Sequence, residues 1–239
     1  VTLKALIFDV DGTLAETEEA HRQAFNEIFN EDGLDWHWSV EDYRKLLKTT
    51  GGKERMQAHR SAIGSNVPTD AQIAEMHKRK TARYGDILAS RLLPLRPGVS
   101  SLVEAARNAG LKVAVATTTN RPNVDALCQC CWGVDADQVF DVIAAGDEVQ
   151  AKKPAPDVFL LALQRLGMTA DQAIAFEDSL NGVRSAQSAG LRVLVTPSAY
   201  TDHEDFSDAE WVAANLRPPS LPSELLDAIS PMEAGRRTG

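Results

Sequence analysis

Two carboxylates, Asp9 and Asp11, end the apolar run Leu3 to Phe8, which only Lys4 interrupts, and Gly12-Thr13 breaks the run at once. Such a run fits a strand buried on both faces of a parallel sheet. Alternation along an extended chain would put Asp9 and Asp11 on one side and turn Val10 to the core. Crowded like charges raise each other's pKa unless a cation or hydrogen-bond donors neutralise them, so the pair requires a metal or a basic group nearby. Without such partners the same residues read as two solvated acids beside a turn.

Three later segments offer partners. The apolar run Leu111 to Ala116 leads into Thr117-Thr118-Thr119-Asn120, hydroxyls and N–H groups at a helix start, where an anion is stabilised. An ordinary helix N-terminus would use the same residues. Lys152-Lys153-Pro154-Ala155-Pro156-Asp157 puts two cations in a loop before a helix whose first turn accommodates Pro156. The run Ala173 to Phe176 ends in Glu177-Asp178-Ser179. Facing Asp9 across adjacent strand ends, those acids would complete an oxygen-rich site suited to Mg2+; alone, they read as a helix cap.

The elements that must carry these groups follow from periodicity. From Ala15 to Ser90, apolar residues recur at helical spacing, predicting helices over Glu16 to Glu31, Val40 to Lys48, Lys53 to Ile63 and Asp70 to Ala89. Ser39 and Thr69 are the expected caps, with Gly33, Gly51-Gly52 and Gly64 as stops. After the punctuation Pro94 to Pro97 the pattern alternates: helix Val99 to Ala109, strand Leu111 to Ala116, helix Arg121 to Cys131, strand Val139 to Ala144, helix Asp157 to Leu166, strand Ala173 to Phe176, helix Leu180 to Ala189 and strand Leu191 to Val195. Parallel βαβ units follow. A short edge strand at Trp211-Val212, a closing helix Ser223 to Ile229 and a mobile tail complete the reading. The expected architecture is α/β: a Rossmannoid parallel-sheet core formed by 1–14 and 92–239, interrupted by a helical cap domain over 15–91 that can close over the acids.

Composition narrows the function class. A chain of 239 residues with 44% hydrophobic content can bury a sizeable core, and 34 acidic against 25 basic residues give a net charge of -9. That charge offers no general attraction for nucleic acid, so an anionic substrate must meet a local basic cluster. No apolar run approaches the ~18 residues of a membrane span, and the chain opens on a strand rather than a signal peptide. A soluble cytoplasmic protein, monomeric and without membrane partners, is expected. The bunched Cys128, Cys130 and Cys131 fit neither a disulfide framework nor a usual zinc spacing, and read as free thiols in a reducing compartment.

DVDGT, the threonine run, KPAPD and EDS, in that order, resemble motifs I to IV of the haloacid dehalogenase (HAD) superfamily. The resemblance implies that Asp9 is the nucleophile and a metal ligand. Asp11 is then the general acid/base, lending its backbone carbonyl to the metal. Thr117 would hold the transferring phosphoryl group with help from the Thr118 N–H and Asn120, Lys153 would neutralise nucleophile and phosphate, and Glu177 and Asp178 would hold Mg2+, with Lys152 exposed. Glycines, helix-start N–H groups and cations in Thr49-Thr50-Gly51-Gly52-Lys53-Glu54-Arg55 suit a second phosphate, or equally a glycine turn before a charged helix. The strings DVDGTLAETEEAHRQAFN, YRKLLKTTGGKER and AYTDHEDF resemble the CbbY family, xylulose-1,5-bisphosphate phosphatases associated with carbon fixation in the Calvin cycle. That resemblance implies a small-molecule sugar bisphosphate as substrate, its distal phosphate held at Gly51, Gly52, Lys53 and Arg55, with Glu18, His21, Tyr43 and Lys80 contacting the sugar or that phosphate, although Tyr43 reads equally as a core residue of the cap. The competing expectations are a β-phosphoglucomutase-like phosphomutase and a catalytically silent phosphosugar-binding protein.

Overall fold

The computed structural model describes residues 2–90 and 93–230. The tail expected to be mobile and the 91/92 boundary lie outside or at the edge of these residues. Among them, six strands form one parallel sheet in the order β3-β2-β1-β4-β5-β6. They are β1 (Ala5–Phe8), β2 (Lys112–Ala116), β3 (Val142–Ala144), β4 (Ala173–Glu177), β5 (Arg192–Val195) and β6 (Trp211–Val212). From the central β1 the chain winds out through β2 and β3, then returns to β4 on the other side and proceeds outward again. The strand order thus reverses at β1/β4, the crevice where open parallel sheets bind ligands.

Burial on both faces explains the apolar β1. Leu6 and Phe8 enter one buried cluster with Val113, Val115, Ile174 and Phe176, while Ala5 and Ile7 enter another with Val158, Phe159 and Val193. Helices cover both faces: α5 (Val99–Asn108), α6 (Arg121–Trp132), α7 (Ala136–Val139), α8 (Asp157–Leu166), α9 (Leu180–Ser188) and α10 (Ser223–Ile229). Here the sequence reading needs correction at Val139, which closes α7 rather than opening β3. Asp135 and Gln138 form a reciprocal capping box that winds one turn before the strand can start.

The insert supplies α1 (Glu18–Glu31), α2 (Val40–Leu46), α3 (Gly52–Ala62) and α4 (Asp70–Ser90). Ser39 caps α2 by accepting the Asp42 N–H, and Thr69 accepts the Gln72 N–H at the start of α4. Gly51-Gly52 starts α3 rather than stopping α2: Gly51 has φ +94°, which a side chain resists, and α2 has already ended at Leu46. The insert is held in two ways. Ala20, Ala24, Tyr84, Ile87 and Leu88 join the sheet's larger cluster, whereas Phe25, Phe29, Trp36, Trp38, Tyr43 and Met76 form an aromatic cluster of the cap. The three cysteines lie on α6 without disulfides, and no described helix is long and apolar enough to cross a membrane.

Candidate active site

The carboxyl ends of β1, β2 and β4 and the loop after β3 open into one cavity of about 420 Å³, roofed by α1, α3 and α4. Its floor is acidic. Asp9 follows β1, held by its N–H to the Phe176 carbonyl at 2.9 Å. Glu177 ends β4, and Asp178 follows it. One oxygen from each of these buried acids lies within 4.8 Å of the others. A single ammonium meets two of them: Lys153 Nζ donates to Asp9 Oδ1 and Glu177 Oε1 at 2.6 Å each and to the Ala116 carbonyl at 2.9 Å.

Three carboxylates against one lysine leave negative charge uncompensated. Burial, with Glu177 and Asp11 nearby, lifts Asp9 to about 8 although Lys153 opposes the rise. Burial and the charges of Asp9 and Glu177 push Asp178 well above the usual carboxylate range. Burial also raises Glu177 against the pull of Lys153, and although burial disfavours its charge, Lys153 is held above its usual value by Asp9 and Glu177. Hard oxygen donors carrying excess charge are the donor set of a hard divalent ion, so Asp9, Glu177 and Asp178 fit Mg2+. Backbone must come close for the acids to converge. A Cβ on Gly12, which has φ +83°, would stand 2.2 Å from Asp178 Oδ2.

Asp11 lines the same cavity but belongs to a different set. Its Oδ1 accepts Thr17 Oγ1–H at 2.6 Å and faces His21 Nε2 at 2.9 Å, while His21 Nδ1 meets Lys80 Nζ and the imidazole stacks on Tyr84 at 4.0 Å. Burial works to raise Asp11, but His21 and Thr17 outweigh it and hold the carboxyl at about 2. Lys80, buried among Phe25, Tyr84 and Arg55, is lowered to about 7 chiefly by desolvation. The two acids, adjacent but one in sequence, therefore serve separate networks.

The roof carries the opposite charge. Gly51, Gly52, Lys53, Arg55 and Lys80 line it, with Glu18 and His21 beside them. Arg55 is buried, donates to the Tyr43 hydroxyl at 2.8 Å, and has no carboxylate within ion-pair distance among the described residues. Tyr43 stands behind this wall rather than on it. Fully buried in the aromatic cluster, its hydroxyl donates to Glu18 Oε2 at 3.0 Å and so ties Glu18 to Arg55. Thr117 is likewise behind the lining, its hydroxyl accepting the Thr119 N–H at 3.2 Å, and Thr118, Thr119 and Asn120 form the cavity edge. Asn120 caps α6 through Asn123 N–H and donates to Thr81 of α4, joining core to cap.

Lys152 corrects the expectation of exposure. It is half-buried on the cavity wall, 4.0 Å from Glu54 of α3, because the loop after β3 turns toward the cap. His77 was missed. It lines the cavity above Gly52, where a Cβ would stand 2.5 Å from its Nε2, and burial beside Lys80, Lys53 and Lys152 lowers it to about 3. Its i,i+3 spacing to Lys80 was the available signal.

A family model described as haloacid dehalogenase-like hydrolase matches residues 3–190. The CbbY protein of Rhodobacter capsulatus is 59% identical over 92% of this chain and 99% of its own length. That of Cereibacter sphaeroides is 52% identical over 87% of this chain and 90% of its own length. Among solved structures, a mutant of CbbY from Rhodobacter sphaeroides in complex with xylulose-(1,5)bisphosphate superimposes with a TM-score of 0.88 at 47% identity, covering 94% of this chain and 99% of that one. A β-phosphoglucomutase from Clostridium difficile shares the fold, with a TM-score of 0.79 at 18% identity.

Proposed function

The chain belongs to the CbbY family of the haloacid dehalogenase superfamily and is a sugar phosphatase of HAD type, and from that premise we propose that it hydrolyses xylulose 1,5-bisphosphate to xylulose 5-phosphate with Mg2+. One observation carries the reading: a single cavity has the buried carboxylates of Asp9 and Asp178, backed by Glu177, with Lys153 at one pole and Lys53, Arg55 and Lys80 at the other. A molecule with a phosphate at each end satisfies both poles, since the acid pole gains an anion only by way of a divalent cation while the basic pole takes one directly. The division into core residues 1–14 and 92–239 and cap residues 15–91 is part of the same proposal.

Asp9, Glu177 and Asp178, with the Asp11 backbone carbonyl, would hold Mg2+, which when bound offsets repulsion between carboxylate and phosphate dianion and stabilises charge on the phosphoryl oxygens. Lys153 adds a fixed positive charge between Asp9 and Glu177. The Asp9 carboxylate attacks phosphorus in line, the P–O bond to the sugar breaks, and an aspartyl phosphate forms. The leaving alkoxide takes its proton through Asp11, whose carboxylate faces the His21 ring nitrogen at 2.9 Å. Asp11 then deprotonates water, which attacks phosphorus and restores Asp9. From the cavity edge Thr118 and Thr119 face the phosphoryl oxygens, with Thr117 supporting the turn from behind through the Thr119 N–H. Arg55 and Lys53, with the backbone at Gly51-Gly52, hold the distal phosphate, and Glu18, His21 and Lys80 face the sugar.

Phosphate release measured over a panel of sugar mono- and bisphosphates with Mg2+ tests the reading. Turnover of xylulose 1,5-bisphosphate, lost in Asp9→Asn, is the expected result. Isomerised glucose phosphate without net phosphate release would overturn it in favour of a mutase, and no turnover with retained binding in favour of a binding protein.

A further inference from the structure

Tyr200 is, among the described residues, the one member of the cap's aromatic cluster contributed by the core. It stands in the loop after β5, and its ring meets Tyr43 edge-on with centroids 5.8 Å apart. Its hydroxyl donates to Glu19 Oε2 at 2.6 Å, and Arg44 of α2 lies over the ring at 5.9 Å while donating to the neighbouring Ala199 carbonyl. Tyr43 is the residue whose hydroxyl joins Glu18 to Arg55. A core side chain thus buttresses the wall that carries both.

The next residue faces the other pole. Thr201 Oγ1 donates to the Asp178 carbonyl at 2.6 Å, lies 3.3 Å from Asp178 Oδ2 and accepts the Ser198 N–H at 2.9 Å. Farther along, Glu204 accepts the Leu180 N–H at 2.6 Å, fixing the start of α9. Thr201 is buried, as is Tyr200. Adjacent residues of one loop therefore grip the cationic wall through Tyr43 and the acid cluster through Asp178. A buried aromatic ring suits this task because it fills a shaped site with few rotatable bonds while its hydroxyl is satisfied.

We propose that Tyr200 is a positioning residue that docks the cap on the core and sets the registry between Arg55 on the wall and Asp178 on the floor. The inference rests on reading that wall as the holder of a second phosphate. A substrate spanning both poles needs the registry, whereas a small aryl monophosphate, reacting at the floor alone, does not.

Steady-state kinetics of Tyr200→Ala and Tyr200→Phe with xylulose 1,5-bisphosphate and with p-nitrophenyl phosphate, both with Mg2+, test it. Tyr200→Ala is expected to raise KM for the bisphosphate about tenfold or more and to change kcat/KM for the aryl phosphate less than about threefold, with Tyr200→Phe within about threefold of wild type because the ring remains. Equal losses on both substrates, or no loss on either, would overturn the proposal. Amide hydrogen exchange supplies a second readout, expected to quicken across Val40–Leu46 in Tyr200→Ala while β1 and β4 stay protected; unchanged exchange in Val40–Leu46 also overturns it. Should the alanine variant fail to fold, Tyr200→Leu, which fills the space without the ring edge or hydroxyl, is read by the same criteria. If wild type hydrolyses no sugar bisphosphate, the substrate reading fails and the exchange measurement alone decides the role of Tyr200.

Discussion

The floor and the roof of the cavity are built by opposite means. On the floor, hydrogen-bonded neighbouring strands bring Asp9 and the pair Glu177-Asp178 together, and Phe8 pairs with Phe176 in the parallel register immediately before them. Backbone pairing sets their positions almost without help from side chains. On the roof, Arg55 and Glu18 come from different helices and are joined only through the Tyr43 hydroxyl, itself set by packing among Phe25, Trp38 and Tyr200. The floor has too few cations for its acids; the roof has a buried guanidinium with no acid paired to it among the described residues. On the proposed function, sheet register suits floor groups that would meet a small ion and a phosphorus atom, and side-chain relays suit a wall that would adapt to the remainder of a substrate.

If chemistry resides on the floor, Asp9→Asn should abolish it with the largest effect, lowering turnover of any phosphate ester about 10⁴-fold while bisphosphate still binds by calorimetry. Weakened binding to the same degree would mean that the floor also grips. Lys153→Met should come next. It leaves Asp9 and Glu177 facing each other buried and unpaired, costing about 3 kcal/mol in denaturant unfolding and about 10²–10³-fold in turnover. Added Mg2+ should narrow the stability loss, and chelation by EDTA should widen it. On the roof, Arg55→Gln should raise KM for the bisphosphate about 30-fold, near 2 kcal/mol, with kcat for an aryl monophosphate within about threefold. Loss of kcat on both substrates would erase the distinction between floor and roof.

The smallest effect concerns pH. Burial lowers Lys80 from 10.5 to about 7, so between these values the unfolded chain carries a proton there that the folded protein lacks. Unfolding takes up that proton, and the contribution of Lys80 to stability rises with pH through the window, being least favourable below about 7. Lys80→Met should flatten that slope in urea titrations. Conversely, the free enzyme loses this cation from the roof as pH rises through about 7, so bisphosphate KM should climb there a few-fold in wild type and not in Lys80→Met.

Much of the floor was legible because strands and their ends announce themselves locally. Apolar runs closed by Asp9, Thr117 and Glu177 place each group at the same edge of the sheet, and a parallel sheet has one carboxyl edge. Helix α8 at Asp157–Leu166 and β6 at Trp211–Val212 also follow the expected bounds. The roof was less legible. Periodicity says that Tyr43 lies on a helix face, not whether that face looks into the cavity or the cluster behind it, and it is the Trp38 and Tyr200 rings that draw Tyr43 inward. His77 goes unread in the sequence and Lys152 reads as exposed for a related reason: their positions depend on how α4 and the loop after β3 fold against α3.

The sequence by itself determined the α/β class, the interruption by helices after β1 and the order in which the acids, threonines and lysine arrive at strand ends. Each of these is a matter of short-range pattern, repeated along one element. Only the tertiary structure decided that Asp11 turns from the other acids to Thr17 and His21, that Tyr43 supports the wall instead of forming it, and that Tyr200 crosses from core to cap. Those outcomes rest on competition among partners distant in sequence, where burial selects whichever neighbour satisfies a charge or hydroxyl, and no local spacing records the winner.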